Sequence, residues 1–548
     1  MASHAAAASA PTDIHIVTLN CWGLKYISKQ RPQRLAEIAR RLALADPAPH
    51  IVALQECFVH DDYLAIRRAT RHVLPHGKFY FAGPFGAGLA LLSRWPIEEA
   101  ATLPYPLNGR PTAFWRGDWY VGKGVACATL RCDDDEPGNA ESRSNDEPDN
   151  AESRSNDEPD NAEPGNGDSN TRASPPRRIH VFNTHTHAPY NDTYTAHRLA
   201  QSWYLASLLR RAHAAAAASP AADLVLALGD FNMRPTSLQH RILTARAPVR
   251  DAWRLLHPDS ALGHATDPLE TPRRRPVPGA LFNLDENGAT SDSAYSTWRW
   301  PARDQRALAR ADRPRRRVAP DDPDPTGKRL DYIFLSSPPA SASASPSAPA
   351  WVVKSAAVGM RAPHPDLHCS LSDHFSVEAT LTLHTPSSTS SSSSSLRSPL
   401  DAQLATAPAP PAAAQDALPL SQHEYDALLA EIAAYRRRER AQRTRRARTA
   451  LALLALWLAA LVAVWFAPDA AASRSRWPAF LLLLVGSLAL AASVVEGLLA
   501  LLFFPAELRA LREFEWDVLN ARAAALGGGE GPGALDEDDH LDLVDDKL

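Results

Sequence analysis

Cysteine is scarce in these 548 residues, and what there is does not pair: five residues, an odd number, with no C-x-x-C spacing and none beyond Cys369. That argues against a disulfide framework or a structural zinc site and points to a reducing compartment. The first dozen residues, MASHAAAASAPT, lack both a basic start and a strongly apolar centre. A cleaved secretory signal is therefore not expected, and 1–12 reads as a disordered N-terminus. Net charge is small as well, at −4. The total hides an acidic block near 133–170, a basic block at 436–448 and an acidic end at 536–546, which must be read separately.

From Ile14 onward short β-type runs alternate with helical ones: IHIVTLN, RPQRLAEIARRL, HIVALQE, DDYLAIRRATRHVL and GLALLS. Further strand-like runs continue into the 380s, so 13–384 is expected to be one layered, sheet-rich α+β domain. An eleven-residue repeat beginning EPGNAESRSND interrupts it. The repeat holds no apolar residue larger than Ala and cannot bury a face, so 133–178 is expected to be a disordered loop between neighbouring strands. Residues 385–420 are Ser, Pro and Ala-rich, as linkers are.

Charge is missing altogether from TALALLALWLAALVAVWFA, residues 449–467. A second apolar run, about 480–504, carries only Glu496. Each has about the length that crosses a bilayer, and the basic helix predicted at 421–448 places the preceding side in the cytosol. The expectation is a transmembrane hairpin that returns an acidic tail, 505–548, to the same cytosolic side. Buried helices of a soluble domain are the competing reading.

Polar residues recur where strand-like runs stop. Asn20 ends IVTLN, Glu56 ends IVALQE, His185 ends VFNTH, Asp230 ends LALGD with Asn232 next, Asp331 sits in KRLDYIF, and Asp373 and His374 follow in CSLSDHF. Singly, each reads as a cap, a turn residue or a satisfied structural histidine. Converging on one end of a sheet, they offer oxygen ligands to a hard divalent cation and bases for proton transfer. The segment GDWYVGKG, 117–124, nearly spells a phosphate loop, but Gly124 replaces the hydroxyl residue and a strand follows, so a nucleotide site is not expected. His187 and His197 read as structural hydrogen bonders. Trp22, Trp115 and Trp119 suit either a lipid-facing rim or the core.

The order of these blocks resembles the endonuclease/exonuclease/phosphatase superfamily. Within it, LNCWGLKYISKQRPQRLAEIARRL, GLALLSRWPI, NTHTHAPY, AHRLAQSWYLA and SDSAYSTWRW look like the neutral sphingomyelinases, especially the fungal inositol phosphosphingolipid phospholipases C, which also carry a C-terminal pair of spans. The resemblance implies a four-layer αββα sandwich followed by the hairpin, and a Mg2+-dependent phosphodiesterase acting on sphingophospholipids. It implies Mg2+ held by Glu56 with Asn20, and His374 as the base, oriented by Asp331 or Asp373. Asp230 would position or help deprotonate the water, Asn232 would donate to the phosphate, and His185 would contact it on the leaving-group side. Lys123 would support substrate binding, with an exposed turn lysine as the alternative. Ser291 and Ser296 stand where animal relatives are expected to have Cys and Asn, which leaves inositol phosphate and choline open as head groups. Anionic phospholipids are expected as activators through the basic run, and nucleic acid is not an expected partner. The endoplasmic reticulum and the mitochondrial outer membrane are expected ahead of the plasma membrane. A nuclease, an inositol polyphosphate phosphatase and an inactive membrane scaffold remain the rival functions.

Overall fold

The computed structural model describes residues 12–132, 176–338, 349–385, 418–466 and 477–526 apart from a few positions within them, together with 400 and 403. Most of the expected N-terminal segment, repeat insert and linker, Trp115 and the chain beyond 526 lie outside the described residues.

The elements follow in chain order. The first half runs β1 (Asp13–Asn20), α1 (Arg31–Ala43), β2 (Ile51–Gln55), α2 (His60–Thr70), β3 (His76–Tyr80), β4 (Leu89–Ser93), β5 (Ile97–Pro104), α3 (Asp118–Val121) and β6 (Gly124–Cys132). Next come β7 (Arg177–His185), α4 (Thr195–Ala218), β8 (Leu224–Asp230), α5 (Leu238–Arg246), β9 (Arg250–Asp251), α6 (Ala252–Leu256), α7 (Ala280–Asp285) and α8 (Ala302–Leu308). The sheets close with β10 (Asp331–Ser336), β11 (Ala350–Gly359) and β12 (Ser376–His384). Three long helices complete the described chain: α9 (Gln422–Trp465), α10 (Trp477–Leu498) and α11 (Phe504–Ala525), with a π-helical turn, Leu499–Phe503, joining the last two.

Two six-stranded sheets form, ordered β11-β12-β1-β2-β4-β3 and β5-β6-β7-β8-β10-β9. Their facing sides supply a shared core in which Ile14, Ile16, Ile51 and Ala53 of one sheet join Val181, Leu226, Leu228 and Ile333 of the other. Strands covered on both faces must be apolar on both. Accordingly Val17, Leu19, Val52 and Leu54 turn outward under Leu35, Ile38 and Ile66 of α1 and α2. On the opposite side Val225, Ala227 and Phe334 pack under Leu205, Leu209 and Leu243 of α4 and α5. The chain forms the expected four-layer αββα sandwich.

The topology brings the functional strand ends together. β7 and β8 run parallel with His185 beside Asp230, and β10 runs antiparallel to β8 with Asp331 opposite Asp230. Asn20 likewise ends β1 beside Gln55 of β2, while β12, which starts just after His374, runs antiparallel to β1. Gly229 makes the close approach possible. Its φ is +140°, and a Cβ there would lie 1.9 Å from the Thr184 carbonyl oxygen.

The C-terminal region departs from the sequence reading in one respect. Residues 504–525 are not an acidic tail but α11, whose Leu511, Phe514 and Val518 recur at helical spacing and are buried. They join Tyr425, Leu428, Ile432 and Tyr435 of α9 and Leu199, Trp203 and Ile242 of the sandwich in one apolar cluster. The acidic residues that prompted the tail reading lie mainly beyond 526. α9 runs without a break from this dock into the apolar run, and both apolar helices are long and apolar enough to cross a membrane. They pack through small residues: the Ser493 hydroxyl donates to the Ala450 carbonyl at 2.8 Å, and Gly486 leaves room beside Ala460 and Trp457. Glu496, the one acid of the second run, forms an ion pair with Arg446.

Candidate active site

The expected residues meet at one end of the paired sheets. The Asn20 side-chain NH2 donates to Glu56 Oε1 and to Asp230 Oδ2, both at 3.1 Å. His374 Nδ1 lies 2.8 Å from Asp331 Oδ2, and its Nε2 lies 3.9 Å from Asp230 Oδ2. His185 Nε2 is 3.4 Å from that same Asp230 oxygen. The Asn232 backbone N–H donates to Asp230 Oδ1 at 2.9 Å, and its side-chain amide donates to the Thr186 carbonyl at 3.2 Å. Asp230 is therefore the hub, reached from β1, β7 and the segment leading into β12.

Three of the residues around this hub, Trp22, Glu56 and Asn232, have φ values of +47°, +53° and +46°. Left-handed backbone is unfavourable for residues with a Cβ and persists where the surroundings enforce it. Arg34 of α1 contributes to that enforcement: its buried guanidinium donates to the carbonyls of Cys21, Trp22 and Leu371 and stacks over the Trp22 ring. Beneath the site the two sheets are bolted by Gln55, whose amide donates to Asn183 Oδ1 at 2.8 Å.

Burial and crossed charges set the titration of the cluster. Burial, reinforced by Asp373, pushes the Glu56 carboxyl up to about 7, against the hydrogen bond from Asn20. Burial also raises Asp230, to about 6, with Asp331 adding to the rise and His374 opposing it. The two histidines move in opposite directions. Burial disfavours charge on both, but Asp331 and Asp230 outweigh it at His374, which is raised well above the usual range. At His185 burial is reinforced by Lys123 and His374, and the imidazole is held neutral.

The orienting carboxylate of His374 is Asp331, with Thr290 Oγ donating to the same Oδ2 at 2.6 Å. Asp373 instead accepts from Ser372 Oγ at 3.2 Å. Thr290 escaped the sequence reading; it lies in an irregular stretch, and its one signal was adjacency to the SDSAYSTW block. Thr186 escaped it too, although its carbonyl takes hydrogen bonds from both Asn232 and Lys123. Lys123 is buried, not an exposed turn lysine, and β6 follows it directly. His187 and His197 are fully buried behind the site. Trp22 packs at a tilt against Trp298, 4.8 Å between centroids.

The donor set suits a hard cation. Glu56 Oε2 is buried and has no hydrogen-bond partner among the described residues, the kind of stranded oxygen that a divalent ion satisfies. Asn20 turns its NH2 toward Glu56, while its oxygen accepts from the Trp22 N–H at 3.0 Å. Ligand atoms of Asp230, Asp331 and His374 also gather within 4.8 Å of one another.

The family described as Endonuclease/Exonuclease/phosphatase matches residues 17–374. The chain belongs to this family. It is 35% identical over 375 residues to the inositol phosphosphingolipids phospholipase C of Schizosaccharomyces pombe, covering 68% of this chain and 69% of the relative. The Saccharomyces cerevisiae protein of the same name is 28% identical over 536 residues, 93% of this chain and 90% of the relative, so that likeness extends through the C-terminal helices. Human sphingomyelin phosphodiesterase 2 is 29% identical over 245 residues, 44% of this chain and 46% of that protein. Among solved structures, sphingomyelinase C from Streptomyces griseocarneus superposes with a TM-score of 0.37 at 17% identity, covering 67% of this chain and 99% of that one.

Proposed function

We propose that this protein is a membrane-tethered, Mg2+-dependent phosphodiesterase of the phospholipase C type, cutting sphingophospholipids into ceramide and a phosphorylated head group. The observation that carries the reading is the convergence of Asp331, His374 and Asp230 beside the unsatisfied oxygen of Glu56. The names of the fungal relatives supply the substrate class.

Glu56 would hold Mg2+ through its unpartnered oxygen, with the Asn20 NH2 orienting the other, and the ion when bound would neutralise charge on the non-bridging phosphate oxygens. The remaining chemistry falls to the chain. Asp331 fixes the His374 ring and favours its charged form. We place the base role on Asp230, whose oxygen is 3.9 Å from His374 Nε2 and which takes the proton of the attacking water. Assigning the base to His374 itself is the alternative, and it predicts a rate that climbs as His374 loses its proton. Asn232 steadies Asp230 through its backbone N–H and is placed to donate to the phosphate, while neutral His185 contacts the leaving-group side.

The hairpin keeps this centre beside an insoluble substrate at high local concentration. α9 and α11 both return to the sandwich, consistent with a cytosol-facing body, with the endoplasmic reticulum or mitochondrial outer membrane as its site. Anionic lipids are the proposed activators. Arg436, Arg438 and Arg446 are engaged with Glu515, Glu439 and Glu496, whereas Arg437, Arg445 and Arg448 are exposed and are each worth about 1 kcal/mol at an anionic surface.

The test is hydrolysis of inositol phosphoceramide and of sphingomyelin by the full-length protein with Mg2+ or chelator. Ceramide should appear only with Mg2+, and Glu56→Gln should raise the Mg2+ needed for half-activity at least about 100-fold. The ratio of the two substrates assigns the head group. No ceramide from either lipid, with a nicked plasmid in parallel, would transfer the site to a nuclease.

A further inference from the structure

Large aromatic side chains exposed together mark a surface that meets something other than water. Phe81 and Phe85, in the loop between β3 and β4, are 68% and 67% exposed. That loop is nevertheless firmly seated. Gly83 and Gly122 face each other with φ values of +58° and +63°, and a Cβ on Gly83 would come within 2.8 Å of the Gly122 Cα. The Phe85 N–H also donates to the Tyr120 carbonyl at 3.3 Å.

From Phe85 a row of rings continues without a gap. Its ring centroid lies 6.1 Å from that of Tyr120, Tyr120 lies 5.0 Å from Trp119, and Trp119 lies 5.3 Å from Phe503. Phe503 closes the π-helical turn that ends the second apolar run, next to Leu501 and Leu502, which are both exposed. The other flank of the same unit is the catalytic centre. Lys123 follows Gly122 and donates to the Thr186 carbonyl at 2.9 Å, one residue beyond His185.

We propose that Phe81, Phe85, Tyr120 and Trp119 form a bilayer-contacting rim that continues the end of the hairpin and seats the mouth of the catalytic centre on the head-group layer of the same membrane. The proposal rests on the membrane and phosphodiesterase readings above. Continuity selects the occupant: the row begins at Phe503, where the apolar run gives way to α11, which is the depth of the membrane interface. Trp and Tyr are the residues favoured at that depth, with an apolar body in the acyl boundary and a polar edge in the head groups. The facing glycines explain how a surface loop keeps its phenylalanines out rather than folding them under. Each glycine leaves the other backbone room, so the loop is held from behind.

Two measurements on the full-length protein in vesicles of phosphatidylcholine and phosphatidylserine test the rim. In the first, Phe85→Cys carries an environment-sensitive nitrobenzoxadiazole label; of the five native cysteines four are buried and Cys127 is partly so. Its emission should shift to the blue in vesicles and be quenched by spin-labelled lipid of shallow depth. An unshifted, unquenched label, or binding of a soluble protein at the labelled loop while it stays dry of lipid, would overturn the proposal. In the second, Phe81→Ser/Phe85→Ser is assayed on sphingophospholipid in the vesicles and on a short-chain, water-soluble analogue. The variant should lose about tenfold in kcat/KM on vesicles and nothing on the soluble analogue. Equal loss on both, or none on either, contradicts it. Should the unaltered protein cut neither substrate, the phosphodiesterase reading fails, and the label still decides whether the loop meets lipid.

Discussion

Two of the buried clusters in which a histidine meets a carboxylate are built differently. In the candidate active site, His374 and Asp331 pair at 2.8 Å on the ends of sheet strands, with Asp230 and His185 around them. In the hairpin dock, His197 of α4 lies 3.1 Å from Glu507 of α11, and the Tyr435 hydroxyl of α9 donates to the same oxygen. His374 and His185 keep about a tenth of their side-chain surface open, whereas His197 has none. Burial and neighbouring acid perturb titration in both places. Glu439, beside Glu507, is pushed up to about 7 by burial and by that second carboxylate. A perturbed, buried acid therefore does not by itself mark a reaction centre; convergence of strand ends with access to the outside does.

Breaking one member of each cluster should separate them most sharply. His374→Ala is expected to lower kcat by about 10³-fold or more with the fold intact by circular dichroism. His197→Ala should leave kcat within about threefold and lower the melting temperature; equal kinetic losses would erase the distinction. Next in size is the apolar side of the dock. Phe514→Ala should cost about 3 kcal/mol of local stability and expose α11 to protease, while sparing hydrolysis of a short-chain substrate.

The smallest effect is a pH dependence confined to the dock. Glu439 has a folded pKa of about 7 against an ordinary 4.5, so its favourable contribution is complete below 4.5 and is lost as pH rises through 7. Glu439→Gln removes that loss. The variant should match the parent near pH 4.5 and gain stability over it as pH rises through 7 in thermal or chemical unfolding. Glu507 and Tyr435 from the dock, and Arg110 and Arg438 around it, are the groups facing this carboxyl.

The candidate site was largely legible because Asn20, Glu56, His185 and Asp230 end or directly follow apolar strand-like runs while Asp331 and His374 stand at or just before the start of others, and a period of two fixes which side chains leave a strand end together. The layered sandwich was legible for the same reason. Thr290 was not, because an irregular segment carries no periodicity and its partner Asp331 is set only by the tertiary fold. Neither was the orientation of Asn20, whose oxygen and amide ends look alike in sequence. The dock failed for a different reason: His197 and Glu507 are separated by 310 positions. The apolar spacing of Leu508, Leu511, Phe514 and Val518 was present, but the acidic residues beyond it set the reading of the whole segment.

The return of α11 to Trp203 also has a consequence for the order in which the protein is made. Every strand of both sheets is encoded before residue 385, so the sandwich is complete on the ribosome before either apolar helix has emerged. The cover over Leu199 and Trp203 of α4, begun by Tyr425 to Tyr435 of α9, then stays incomplete until the last described helix, which is encoded after both apolar helices. A nascent chain stopped before α11 leaves part of that apolar face open, and so carries its own mark of incomplete synthesis for chaperones to read.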